Sequence, residues 1–264
     1  MSQPSGGGIG FVLLPRQVRA ALRAPVEIDR YLKDIAVQEP SHRFLVGATG
    51  GCYQRMVDML AAAWRLDEPG RAPVRVLDWG AGKGHINYLM RKAGFDVISC
   101  DRKSDGDDSS FNQAAPIIHE RDIDVVPLLH DIELPFATAT FDLVVSFGVL
   151  EHVKNDQASL REIRRVLKPG GVFYFCFLPY WLSWTQRLAH LRGNRYHPIL
   201  YSKGRMRRKA KLAGFRVVDI WHGQLFPKNS WPHSNAIESL DRFLTTWTPL
   251  KYLGTNLEGI LVAE

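Results

Sequence analysis

The chain changes rhythm at Val74. Upstream, Met56, Met59, Leu60 and Ala63 fall on one face of a helix expected over residues 53–64. Basic and apolar positions alternate over residues 15–40, which predicts one or two short helices. Pro69-Gly70 and Pro73 then break the pattern. Downstream, short apolar runs alternate with amphipathic segments. Strands are expected at 74–77, 95–100, 125–129, 141–147, 172–177, 215–221 and 257–262, and helices at about 85–92, 155–167 and 202–213. Gly94 and Gly214 close two of those helices, and Lys168-Pro169-Gly170-Gly171 forms a turn. This order predicts an α/β fold, doubly wound around a mainly parallel seven-stranded sheet, with ligands expected beyond the carboxyl ends of the strands. Residues 1–70 read as a helical cap of the same domain, and residues 71–264 as its sheet-bearing part with an insertion at 178–201.

Composition narrows the setting. Hydrophobic residues make up 45% of the 264, enough for a sizeable core, and no run approaches a membrane span. The Gly/Ser-rich start lacks a basic-then-apolar signal pattern, so the expected location is cytoplasmic, with peripheral membrane contact left open. Cys52, Cys100 and Cys176 match neither a zinc spacing nor a disulfide framework. The net charge of +7 favours acidic partners, whether phosphorylated substrates, RNA or anionic lipid, without choosing among them.

The strongest chemical signal is the stretch Asp78-Trp79-Gly80-Ala81-Gly82-Lys83-Gly84-His85, where a strand runs into closely spaced glycines and a helix follows. Glycines permit a sharp turn and let the backbone approach a ligand closely. A dinucleotide fingerprint wants its third glycine where His85 stands. Asp78, ending the strand and pointing into the site, would oppose a pyrophosphate and welcome an ammonium group. The loop therefore favours a nucleoside that carries an amino acid over NAD. Asp101, about 20 residues on and at the end of the second strand, sits where such folds place an acid on the ribose hydroxyls; the other reading is that it begins a polar loop.

Four motifs occur in order: Asp78–Gly84 as D-x-G-x-G-x-G, Leu134-Pro135-Phe136 with Phe141-Asp142, Leu150-Glu151-His152, and Lys168–Gly171 as KPGG. On these residues the chain from about Val74 to Gly171 resembles the class I S-adenosylmethionine-dependent methyltransferases, with their Rossmann-like fold. The resemblance implies S-adenosylmethionine as cofactor, with the loop backbone at Gly80 and Gly82 on its methionine part, Asp101 at the ribose, and Asp78, Ala81, Gly84 and Arg102 also among the cofactor-binding residues. It further implies Asp131 at the adenine amino group, Ile132 beside the ring, and Ser146 and Phe147 next to the methyl group. Trp79 and Lys83 depart from the small or polar residues usual in this loop, and the charge of Lys83 has no evident role. Arg43 and Tyr53 are candidates to reach the cofactor's carboxylate.

The acceptor half says less. His152 is the candidate base, set against a supporting role for the Glu-His pair, and no carboxylate cluster calls for a metal. Trp181, Trp184, Leu188 and Leu191 recur at helical spacing in the insertion, with Tyr196 and His197 beyond them as further acceptor-side candidates. That segment reads as a lid over the acceptor, as an interfacial helix touching a membrane, or as a helix packed on the core. Residues 203–211 carry six cations and no acid, which fits a solvated face or a phosphate-binding one. Phe226-Pro227, Trp231-Pro232-His233 and Trp247-Thr248-Pro249 suggest an aromatic extension near the acceptor or a dimer contact. No RNA-binding module is recognisable. The expectation is methyl transfer, with oxygen slightly favoured, to a small or medium-sized acceptor such as a sugar, a glycan precursor or a lipid-linked molecule. The competing classes are a non-catalytic cofactor-binding scaffold, which a damaged loop would signal, and a dehydrogenase, against which His85 argues.

Overall fold

Four consecutive buried residues, Val76 to Trp79, make the first strand a fully covered one, and the sheet grows outward from it on both sides. The computed structural model describes residues 25–64, 70, 72–102, 115–130, 132–193, 197, 199–226 and 233–264. In chain order the strands are β1 (Arg75–Trp79), β2 (Asp96–Arg102), β3 (Val125–Leu128), β4 (Phe141–Phe147), β5 (Leu167–Pro179), β6 (Phe215–Gly223) and β7 (Asn256–Ala263). They lie in the order β3-β2-β1-β4-β5-β7-β6, parallel except for β7, which runs against both neighbours. The order reverses between β1 and β4, the switch point at which open α/β sheets leave a crevice.

The helices are α1 (Arg30–Gln38), α2 (Ala48–Ala63), α3 (His85–Lys92), α4 (Pro116–Glu120), α5 (Asp156–Val166), α6 (Trp184–Leu191), α7 (Lys203–Leu212) and α8 (Asn235–Trp247). Two 3₁₀ turns, Pro40–Val46 and Pro249–Leu253, precede α2 and follow α8. Each sheet face carries its own apolar cluster. On one face α1, α2 and α3 bury Leu32, Ile35, Met56, Leu60, Leu89 and Met90 against Val76, Leu143, Val145 and Tyr174. On the other, α5 and α7 bury Leu160, Ile163, Met206 and Ala210 against Leu77, Val144, Phe173 and Phe215. The N-terminal helices thus share a core with the sheet. Of the region expected to hold short helices, residues 30–38 form α1, while 15–24 lie outside the described residues.

Two of the motifs prove to be braces. Asp142 on β4 accepts from the Arg75 backbone N–H (2.9 Å) and from Lys168 Nζ (2.8 Å), tying β1 and the KPGG stretch to the central strand. Arg165 on α5 donates to the carbonyls of Leu134 (3.0 Å) and Phe136 (2.8 Å), holding the segment before β4. The KPGG stretch turns as expected, with Gly170 at φ +76°, but it loops out within β5 rather than preceding the strand. Leu167 pairs with Phe141 and Val172 with Leu143, so the extra residues loop out while the strand continues.

α2 starts at Ala48, ahead of the boundary expected from the sequence. The segment 178–201 is only partly helical. Ser183 caps α6 through the Gln186 N–H, which leaves Trp181 ahead of the helix, and α6 has no buried residue, so the core-packed reading of this segment fails. α7 has no acid of its own from 203 to 211, but Asp156 of α5 pairs with its Lys209 at 2.6 Å.

Candidate functional site

The crevice at the switch point is built by the loop between β1 and α3. Gly80 donates its N–H to the Cys100 carbonyl (2.8 Å) with φ of +92°, and a Cβ there would come within 2.2 Å of Val149 Cγ2. Only glycine fits such a position. Gly82 also has positive φ, but an added Cβ would meet nothing within 4 Å, which leaves the space above the loop open to a ligand. Gly84 stands at the N-cap of α3, and Ala81 is buried beneath. Asp101, ending β2, accepts from the Gly82 N–H and the Arg102 N–H, each at 2.7 Å, so it pins the loop as well as standing at its mouth. Burial raises its pKa, and the two N–H donors oppose the rise. Arg102 itself is exposed.

The sequence places Asp78 pointing into the site, and the structure corrects this. Its side chain is turned under the loop, where it accepts from Ser99 Oγ (3.0 Å), and Ser99 in turn accepts from Asn87 Nδ2 (2.8 Å). Burial pushes this carboxyl up to about 7; the Ser99 hydrogen bond works against that and the charge of Asp101 adds to it. Asp78 therefore lies beneath the glycines rather than at the mouth of the crevice.

Beyond the ends of β4 and β5 the side chains are aromatic. Tyr53 of α2 lies with its ring 4.5 Å from that of His85, 5.3 Å from Phe177 and 5.7 Å from Phe147, and Phe44 closes on His85 at 5.4 Å. Ser146 is buried just before Phe147 on β4. Phe177 holds φ of +61°, a conformation that costs a bulky residue about 1–3 kcal/mol and recurs at functional sites. The β5–β7 register shift between Phe175 and Leu178 supplies it. His85 is buried, its pKa pushed down to about 3, and neither ring nitrogen has a hydrogen-bond partner among the described residues. A neutral imidazole with spare polar capacity beside Gly84, an open space over Gly82 and a carboxylate at the loop mouth fit a nucleoside bearing an amino acid. Aromatic faces suit its cationic sulfur. His85, Phe44 and Phe177 were not singled out from the sequence as site residues. Only the position of His85 after the glycine loop offered a signal.

Other expected residues divide as follows. Ile132 is exposed on the bend after β3, while Asp131 and Tyr196 lie outside the described residues, as do Pro227, Trp231 and Pro232. Lys83 donates to the Ser41 carbonyl at 2.8 Å and lies over the Phe44 ring, so the unassigned cation fastens the loop to the first 3₁₀ turn. Arg43 is exposed on that turn. Tyr53 belongs to the aromatic group, and burial raises the pKa of its phenol, which stays protonated.

His152 follows β4, half-exposed, with its ring 5.4 Å from that of His197 and its Nε2 3.9 Å from the buried Glu151. Burial lowers its pKa, so the ring is neutral near pH 7. One ligating atom from each of Glu151, His152 and His197 falls within 4.8 Å of the others, a grouping no sequence spacing revealed because His197 arrives from the insertion. Those three are the residues in this region that could hold a metal ion. Trp181 and Trp184 are exposed, and Trp184 donates Nε1–H to the Leu225 carbonyl at 2.8 Å.

A separate cavity of about 170 Å³ opens at the same end of the sheet, between α2, α8, the end of β6 and the start of β7. Cys52, Arg55, His222, Gln224, Arg242 and Glu258 line it. Arg55 pairs with the buried Glu238, which His233 also contacts at 2.7 Å. Glu258 accepts from Trp221 Nε1 at 3.0 Å; burial raises its pKa while Arg242 opposes. His222 is driven down to about 4 by burial and by Lys203 and Lys251. Cys52 in the cavity wall directly precedes Tyr53 on α2, so one helix contributes to both the cavity and the aromatic group.

Comparison with known proteins agrees with this geometry. A methyltransferase domain family matches residues 53–220. Malonyl-[acyl-carrier protein] O-methyltransferase of Enterobacter lignolyticus is 35% identical over 126 residues, 47% of this chain and 45% of the relative. Ubiquinone biosynthesis O-methyltransferase of Caulobacter vibrioides is 31% identical over 121 residues, 43% of this chain and 46% of that one. The chain thus matches about half the length of these curated relatives. Among solved structures, an S-adenosylmethionine-dependent methyltransferase of Thermotoga maritima superposes with a TM-score of 0.52 at 13% identity, covering 88% of this chain and 98% of that one, and so shares the fold. With the family matched from α2 through the glycine loop and the central strands into β6, the chain belongs to the class I S-adenosylmethionine-dependent methyltransferases.

Proposed function

We propose that the protein transfers the methyl group of S-adenosylmethionine to an oxygen of a small or medium-sized acceptor, a sugar, a glycan precursor or a lipid-linked molecule, whose polar head occupies the cavity beside the aromatic group. The observation that carries this is the position of that cavity, which has Arg55, Arg242 and Glu258 in its wall and opens at the same sheet end as the glycine loop. Two relatives being O-methyltransferases with dissimilar acceptors supports oxygen and leaves the acceptor to be read from this chain's own cavity.

The bound cofactor supplies an electrophilic methyl carbon on a positively charged sulfur. Held over Gly82 beside Asp101, it would donate that methyl group to the acceptor oxygen and leave as S-adenosylhomocysteine. The protein's tasks are alignment, exclusion of water and removal of the hydroxyl proton. Arg242 and Glu258 orient a polar head, and Tyr53, Phe147 and Phe177 keep water from the reacting atoms. We assign proton removal to the neutral ring of His152, with Glu151 beside it to stabilise the imidazolium.

The test is transfer of labelled methyl to hydroxyl, amine and lipid-extract acceptors by the purified protein. Expected are label on oxygen, a rise in acceptor KM of about 10-fold or more in Arg242→Gln, and a loss of kcat in His152→Ala, both with unchanged affinity for S-adenosylhomocysteine. Label on nitrogen alone, or unchanged kinetics in Arg242→Gln, would contradict the reading.

A further inference from the structure

Helix α8 is inside out. Its buried positions are polar, Glu238, Asp241 and Thr245, while Leu240, Phe243 and Trp247 stand 51%, 57% and 67% exposed on the opposite side. These three recur at i, i+3 and i+7, the spacing that normally faces a core. The 3₁₀ turn that follows continues the face with Leu250, Tyr252 and Leu253, all exposed. Trp181, Trp184, Leu188 and Leu191 of the α6 region are exposed as well. The two segments meet through one short stretch of chain. Trp184 Nε1 donates to the Leu225 carbonyl (2.8 Å), and the N–H groups of Leu225 and Phe226 donate to Asp241 of α8 (2.8 and 2.7 Å). The His222 ring bridges Tyr180 and Tyr252, at 4.6 and 5.7 Å.

Scattered exposed apolar residues need no explanation, but a contiguous group of large ones marks a surface that meets something apolar. Its charge says what. From Trp181 to Gly193 and from Ser239 to Leu253 the cations at the surface are Arg187, Arg192 and the half-buried Lys251, while Arg242 is turned inward against Glu238 (3.6 Å); the single acid, Asp241, is buried and already accepts two N–H bonds. Glu238, just ahead of the second stretch, is buried against Arg55. Tryptophan, tyrosine and leucine interleaved with arginine and lysine, without exposed acid, is the chemistry of a bilayer interface bearing negative headgroups. No helix among the described residues is long and apolar enough to cross a membrane, so the contact is with the surface.

We propose that the face formed by α6, α8 and the turn Pro249–Leu253 docks on an anionic membrane surface. Phe226, Ile237, Arg242, Thr246 and Lys251 on or beside this face also line the cavity between α2 and α8, so docking brings the cavity to the headgroup layer. The inference goes beyond the proposed methyl transfer and does not depend on it, since docking requires neither cofactor nor acceptor.

The experiment is flotation of the full chain with vesicles of phosphatidylcholine alone and of phosphatidylcholine with phosphatidylglycerol. It is run at low and high salt beside size-exclusion chromatography with light scattering. Expected are binding to the anionic vesicles only, weakening as salt rises, and a loss of about 100-fold in Leu240→Glu/Phe243→Glu/Trp247→Glu. A second variant, Leu188→Glu/Leu191→Glu, weakens binding independently on the other segment. Unchanged circular dichroism and S-adenosylhomocysteine affinity show that each variant is folded. Absence of wild-type binding, or equal binding by the folded variants, overturns the proposal. A wild-type dimer that the α8 variant dissolves, with no vesicle binding, overturns it in favour of a second copy of the chain.

Discussion

Asp78→Asn removes a carboxyl that the fold keeps at a cost. Its pKa stands near 7 against an ordinary 3.8, because burial disfavours the charge and Asp101 adds repulsion, while Ser99 relieves only part of it. At 1.36 kcal/mol per pKa unit the ionised group withholds up to about 4 kcal/mol from the unliganded protein. The sign follows from proton counting. Below the unfolded value both states hold the proton and nothing is lost. Between about 4 and 7 the unfolded chain ionises while the folded one does not, so stability falls as pH rises, and above about 7 the loss is constant. Asparagine can still accept from Ser99, but its amide N–H groups need acceptors under the loop, which returns roughly 1–3 kcal/mol. The net expectation is a more stable apoprotein by about 1–3 kcal/mol near pH 8, or roughly 2–5 °C in Tm, shrinking by more than half near pH 5. Cofactor affinity at pH 8 moves the other way, falling about 10- to 100-fold as the negative charge below the glycines disappears. Thermal melts at both pH values, paired with calorimetric titration of S-adenosylhomocysteine, check both halves. A variant less stable at each pH and unchanged in affinity would refute the account of Asp78.

Three further substitutions probe other parts of the site. Asp101→Ala removes the acceptor for the Gly82 N–H along with the loop-mouth charge, and should cost about 1.5–3 kcal/mol of cofactor binding, roughly 10- to 150-fold by calorimetry. Gly80→Ala forces a Cβ to 2.2 Å from Val149 Cγ2 at positive φ, so a folded protein with at least about 10-fold weaker cofactor binding is expected. Glu238→Gln removes the buried carboxylate charge shared by Arg55, His233 and Arg242 and should lower unfolding free energy by about 3–5 kcal/mol in denaturant titrations.

The sheet and its glycine loop were legible because their signals are local. A strand-sized apolar run, a loop only glycine can form and a following amphipathic helix lie next to one another in the chain. What escaped depends on approach between distant segments. Gly50 and Gly51 look like helix breakers, yet both lie inside α2. A Cβ on Gly50 would sit 1.7 Å from the Leu45 carbonyl oxygen, and one on Gly51 would sit 2.4 Å from Glu238 Oε1, so their role is close packing. The left-handed Phe177 follows from a β5–β7 bulge that no neighbouring residue announces. The apolar stripe of α8 has ordinary helical spacing; what the sequence could not show is that it faces outward while its polar residues close a cavity made by α2, β6 and β7. His197 reaches His152 from the far end of the insertion, so their grouping with Glu151 is a product of the fold.

The central claim is that the crevice over Gly82, between Asp101 and the aromatic group, holds S-adenosylmethionine. Calorimetric titration of the folded protein with S-adenosylhomocysteine, in parallel with NADH, tests it most directly. The account predicts micromolar binding of the first and none of the second. Binding of NADH, or of neither compound, would contradict it.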